Sequence, residues 1–172
     1  SPHVRCGVST KNLMYDVAIA MLPATIWGVM QFGIYSLIVV VATVLSCVLS
    51  EYLFETLMHK PVTISDGSAL VTGMILGLNM PPAIPLWMPI LGGVFAIIVV
   101  KQLYGGLGQN WMNPALAARC FMLISFAQAM TKFTDPVTDA VASATPLAAI
   151  KAGDTYDLAA MFIGKIPGTI GE

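Results

Sequence analysis

A chain of 172 residues that is 57% hydrophobic and only 10% charged cannot present a soluble domain's surface, which carries about 25% charged residues. The formal net charge of -1 offers no basic excess and excludes nucleic acid as a partner on electrostatic grounds. Cys6, Cys47 and Cys120 lie far apart without a Cys-x-x-Cys spacing; they argue against a disulfide framework or a self-contained metal site and read as reduced thiols.

The opening residues are polar, with Arg5 and Lys11 and no apolar core leading to a cleavage site, so no cleavable secretory signal is expected in them. Residues 17–50 then carry no charge, a stretch that would run about 50 Å as one helix. A bilayer core of about 30 Å takes about 20 residues, so the stretch divides into helices over 13–30 and 34–54, turning at Gln31-Phe32-Gly33. Asp16, Glu51 and Glu55 then fall near helix ends, where a charge costs least.

Residues 67–100 are again uncharged but interrupted by Pro81, Pro82, Pro85 and Pro89, each of which removes a helical hydrogen bond. The first part, 67–79, would extend only about 20 Å and is expected to be a half-helix ending inside the protein. Backbone that is not helical at that depth needs cover from other helices or a polar cavity, so Asn79-Met80-Pro81-Pro82 should face protein. A helix over 85–100 returns. After Gly105, Gly106 and Gly108, Asn113 is placed as a cap and Pro114 as a first helical residue of a helix over 113–130.

From Thr131 charged residues reappear, dividing the chain into a transmembrane bundle over 1–130 and an external polar segment over 131–172. With the half-helix counted as one excursion the passages are odd in number, so the two ends lie on opposite sides. Arg5, Lys11, Lys60 and Lys101 fall on the N-terminal side, which places the N-terminus in the cytoplasm. A start at Ser1 and a stop after Gly171-Glu172 lead us to expect a piece of a longer chain.

Individual residues admit more than one use. Residues 105–110 offer backbone amides for an anion, or simply a tight turn. Arg119 lies about two turns into its helix, where it should pair, face a cavity or snorkel. Asp66 can cap the half-helix or meet a cation. His3 and His59 read as surface residues, the tryptophans as interfacial anchors and the methionines as apolar filler.

Short turns and a broken helix suit transporters and membrane redox subunits alike. The deciding stretch is Asp139-Ala140-Val141-Ala142-Ser143-Ala144-Thr145-Pro146. Small neighbours leave the Thr145 hydroxyl open to a bulky modifying enzyme, and Pro146 biases Thr145 toward an extended backbone. This stretch resembles the flavinylation site of the D-subunit of Rnf complexes and of the related B-subunit of the sodium-pumping NADH:quinone reductase, with Ser143 where those families usually carry glycine. Other blocks are similar to the same family: Ser1-Pro2-His3-Val4-Arg5 with Leu22-Pro23-Ala24, Asp66-Gly67-Ser68-Ala69-Leu70-Val71-Thr72-Gly73 with Pro81-Pro82, Gly105-Gly106-Leu107-Gly108-Gln109-Asn110 with Asn113-Pro114-Ala115 and Arg119, and Gly168-Thr169-Ile170-Gly171-Glu172.

The resemblance implies an all-α, polytopic helical membrane protein with a broken half-helix, one half of an inverted-repeat bundle, in the bacterial inner membrane with its flavin segment external. It implies a subunit of an oxidoreductase that passes electrons between ferredoxin and NAD while moving sodium ions or protons. Thr145 would carry FMN through a phosphoester, with Asp139, Ser143 and Ala144 around it, and Gly105, Gly106 and Arg119 are further cofactor candidates, a second flavin such as riboflavin among the ligands. The partners implied are the other Rnf subunits, a flavin transferase and membrane lipid. No catalytic nucleophile and base pair and no metal ligands are assigned. The rival expectation is a cofactor-free channel or transporter for a small polar solute.

Overall fold

The computed structural model describes residues 9–134, 141–142, 151 and 162–172. Helix α1 spans Thr10–Phe32 and α2 spans Ile34–Leu57. Both are long and apolar enough to cross a membrane. Ser9 Oγ caps α1 by accepting from the Asn12 amide. Between the helices, Gly33 adopts φ 81°, a conformation glycine enters without a Cβ penalty. Its N–H closes α1 on the Val29 carbonyl at 2.9 Å.

Helix α3, Ser68–Leu78, is the short broken helix, entered through a 3-10 turn at Ile64–Asp66. It packs on α2 through Gly73 and Gly77, spaced as in the small-residue interfaces of membrane helices. A Cβ on Gly73 would sit 2.6 Å from Val44 Cα, and one on Gly77 3.0 Å from Val40 Cα. The α2 backbone therefore leaves no room for larger residues. Helix α4, Trp87–Val94, returns and widens into a π-helix over Phe95–Gln102, seen in the Leu103 N–H reaching back five residues to the Ile98 carbonyl. Ser46 Oγ donates to the Ile90 carbonyl at 2.7 Å and ties α4 to α2.

Helix α5, Pro114–Ser125, starts as its sequence dictates, with Asn113 Oδ1 accepting from the amides of Ala115 and Leu116. The expected single helix over 113–130 is interrupted at Phe126 (φ -132°, ψ 45°), and α6 covers Ala127–Met130. Beyond it, β1 (Phe133–Thr134) and β2 (Val141–Ala142) pair antiparallel, Phe133 opposite Ala142.

The break after α3 is covered from an unexpected quarter. Residues 166–170, which the sequence reading assigns to the external segment, are buried. Pro82 has no N–H to offer the Leu78 carbonyl; the Gly171 amide donates to it instead at 2.8 Å, and the Ile170 amide donates to the Met80 carbonyl at 3.1 Å. Ile170 lies so close to Gly28 that no side chain fits there. The physical reason is composition: Ile166-Pro167-Gly168-Thr169-Ile170-Gly171 is uncharged and supplies the amides that the proline break leaves wanting.

Around this interior, apolar side chains point outward. Val41, Leu45, Leu49 and Leu53, one stripe along α2, are exposed together with Ile19, Ile26 and Met30 of α1. A continuous exposed apolar face suits lipid, and the molecule is an all-α membrane protein. Its described ends sort into two groups. One holds the start of α1, the end of α2, Ser68 and Lys101; the other holds Gly33, Ile84, whose carbonyl accepts from Tyr35 Oη at 2.9 Å, and residues 163–172, where the Ile163 carbonyl accepts from Trp27 Nε1.

Candidate functional site

The first of these ends holds the charges that the sequence places there, but buried rather than at the surface. Glu51 and Glu55 are 0% and 2% exposed, and Lys101 is 2% exposed. The two acids were expected near a helix end and Lys101 among loop charges. Instead α2 continues to Leu57, so Glu51 lies almost two turns inside it, and the π-helix carries Lys101 into the protein.

Lys101 Nζ donates to Glu51 Oε1 at 2.6 Å and to Ser68 Oγ at 2.6 Å. The neighbouring Gln102 Nε2 donates to the same Glu51 oxygen at 2.8 Å and to Glu55 Oε1 at 3.3 Å. The π-turn thus sets two consecutive side chains on one carboxylate, the kind of local irregularity that recurs at functional positions. Glu55 is further held by the Thr63 amide at 3.0 Å and by the Thr63 hydroxyl. Asp66 Oδ1 accepts from the Ser68 amide at 2.7 Å and from Ser68 Oγ at 2.6 Å, so Asp66 caps α3 and joins the network.

Three acids, Glu51, Glu55 and Asp66, thereby surround one base, and Lys101–Glu51 is the ion pair among the described residues. Among the described residues, Glu51 Oε2 is buried without a hydrogen-bond partner. Among the described residues no three His, Cys, Asp or Glu side chains stand together as a metal-ligand set. The arrangement is a salt-bridged network with one open carboxylate oxygen, suited to taking up a proton or meeting a monovalent cation. A sequence signal for it exists: an acid, a base and a glutamine in otherwise apolar helices pair with one another by default.

Beside the network lies a cavity of about 470 Å³, walled by Ser68, Thr72 and Lys101 on one side and by Asn110, Trp111 and Asn113 on the other. Leu107 and Asn110 bring the glycine-rich loop to it. Gly105 and Gly106 do not line it. They hold φ of 115° and 98°, and their amides donate to the carbonyls of Gln102 and Lys101 at 3.2 and 3.1 Å; they terminate the π-helix.

Arg119 is at the other end. Its Nη1 donates to Asn79 Oδ1 at the end of α3, in a separate cavity of about 400 Å³ shared with Thr169 and Glu172. The structure therefore does not gather Arg119 with Gly105 and Gly106. Thr145, Asp139, Ser143 and Ala144 lie outside the described residues; the adjoining Val141–Ala142 is paired with Phe133–Thr134.

The family model described as NQR2, RnfD, RnfE matches residues 1–172. The chain belongs to the NQR2, RnfD, RnfE family. It is 46% identical over 171 residues to the D-subunit of the Na(+)-translocating ferredoxin:NAD(+) oxidoreductase complex of Acetobacterium woodii, covering 99% of this chain and 51% of that protein. It is 40% identical over 186 residues to the D-subunit of the proton-translocating ferredoxin:NAD(+) oxidoreductase complex of Clostridium ljungdahlii, covering 100% of this chain and 56% of that one. With the D-subunit of the ion-translocating oxidoreductase complex of Shewanella denitrificans it shares 40% over 154 residues, 88% of this chain and 44% of the relative. The chain spans about half the length of the curated relatives it matches. Its kinship with the NQR2, RnfD, RnfE family extends over the network, the broken helix and the stretch around Thr145 alike.

Proposed function

We propose that the chain forms part of the membrane-embedded D-subunit of an ion-translocating ferredoxin:NAD oxidoreductase complex and that Thr145 carries FMN as a phosphoester. The observation that carries the first part of this reading is the 46% identity across 99% of the chain to a protein named as such a subunit; the second part rests on the likeness of Asp139-Ala140-Val141-Ala142-Ser143-Ala144-Thr145-Pro146 to a flavinylation site. A buried acid network with an open Glu51 oxygen inside apolar helices supports the ion-moving half of it, because intramembrane ionisable groups mark ion pathways and proton relays. Glu51 is the described group where a sodium ion or proton would bind. Lys101 and Gln102 hold its other oxygen and set its orientation.

A flavin, when bound, supplies the electron-carrying chemistry, and the protein supplies position and electrostatics. The chain's part at Thr145 is a hydroxyl among small residues, reached by a flavin transferase. The 470 Å³ cavity beside Lys101 lies within the range of about 300–1,000 Å³ common for small-molecule sites. It mixes apolar walls with Asn110, Thr72 and Ser68, residues that would suit a second, non-covalent flavin such as riboflavin. The complex sits in the bacterial cell membrane among its other subunits, with the Arg5, Lys11 and Lys60 side cytoplasmic and the Thr145 segment external.

The test is the full-length subunit, co-expressed with its flavin transferase, denatured, run on a gel and viewed under ultraviolet light. A fluorescent band that disappears in Thr145→Ala is the expected result. A dark wild-type band, together with solute uptake into proteoliposomes without a redox partner, would favour a cofactor-free channel or transporter instead.

A further inference from the structure

Arg119 stands in the second turn of α5, half-buried, at a depth where an arginine is costly unless paired or facing a cavity. Its described partner is neutral: Nη1 donates to Asn79 Oδ1, and the ion pair formed among the described residues is Lys101–Glu51. Asn79 in turn belongs to the carbonyl end of α3. Its Nδ2 donates to the Ile75 carbonyl at 2.8 Å and its amide to the Ile75 and Leu76 carbonyls at 3.2 and 3.1 Å.

A helix C-terminus carries about half a negative charge, and the carbonyl ends of half-helices are where membrane transporters hold their cations. The guanidinium therefore sets a fixed positive charge beside the partly negative end of α3, on the Asn79 side chain rather than on the helix carbonyls. The surrounding cavity of about 400 Å³ includes the carboxylate-bearing Glu172 and Thr169, so the position is bordered by polar groups.

We propose that Arg119 is a tethered cation that bars the free passage of small cations at the broken end of α3. The proposal rests on the ion-translocating reading and adds a requirement to it. A path serving coupled transport must not leak when no electrons flow, and a fixed positive charge in a narrow polar passage is a known physical way to exclude cations. A purely structural arginine, present to neutralise the helix end, would affect stability and leave permeability alone.

The experiment uses the complete complex in proteoliposomes with no electron donor, and follows the decay of an imposed sodium or pH gradient. Arg119→Gln is expected to speed the decay about tenfold, Arg119→Lys to leave it at the wild-type rate, and Asn79→Ala, which unties the guanidinium but keeps its charge, to fall between them. An assembled Arg119→Gln complex as tight as wild type would overturn the proposal, as would an Arg119→Lys complex as leaky as the glutamine variant. Should Arg119→Gln not assemble, Asn79→Ala decides: a leak supports the proposal and wild-type tightness overturns it. Adding reduced ferredoxin and NAD to the wild-type vesicles separates the two claims, since absent ion movement there refutes the ion-translocating reading, whereas the leak measurements need no turnover.

Discussion

The two ends of α3 handle charge in opposite ways. At Ser68, one lysine and three acids are packed into a network with Glu51, Glu55 and Lys101 almost wholly buried. At Asn79, a single arginine rests on a neutral amide beside a cavity. The distribution follows the helix dipole, with negative side chains by the N-terminus and a positive one by the C-terminus. Their dependence on partners differs: a buried pair is costly to break from one side, whereas an arginine held by a neutral amide leaves no opposite charge stranded when it is removed.

The largest expected effect tests that asymmetry. Lys101→Met strands Glu51 and should cost about 3–5 kcal/mol, read as a lowered unfolding midpoint of the detergent-purified protein. The double change Lys101→Met with Glu51→Gln should restore most of the loss, because the carboxylate that Lys101 pairs with is neutralised together with it. Equal damage from single and double variants would mean that the pairing does not govern this end. Next in size is Gly73→Leu, where the side chain would meet Val44 backbone; overpacking of this kind costs about 1–3 kcal/mol and should show in the same melt. Arg119→Gln should cost only about 1 kcal/mol in that assay, and a loss as large as that of Lys101→Met would erase the contrast between the ends. The smallest change, Ser46→Ala, removes one interhelical hydrogen bond to Ile90 and should cost about 0.6 kcal/mol.

Much of the fold is readable from local rules. A charge-free run too long for one crossing turns at Gly33; the Pro81-Pro82 pair stops α3; Asn113 and Pro114 open α5. Each depends on residues close in sequence. What is not readable depends on distant partners or on small shifts of register. The burial of Glu51 follows from Lys101 and Gln102 closing over it, and that of Lys101 from a π-helix that no residue pattern announces. The covering of α3 by Ile170 and Gly171 joins positions about ninety residues apart, through backbone groups that carry no side-chain signature. Of the candidate site, Arg119 was legible as a charge needing a partner, and Asn79 as that partner was not. The choice of Thr145 rests on a motif's likeness, and its small neighbours make the attachment chemically reasonable.

Most direct of all is the mass of the tryptic peptide bearing Thr145, taken from native, co-expressed complex. The account predicts an addition equal to FMN less one water, located on that threonine by fragmentation. A peptide of unmodified mass, from a preparation whose flavin transferase is active on another substrate, would contradict the electron-carrying role and leave the membrane fold and its buried charges to be explained another way.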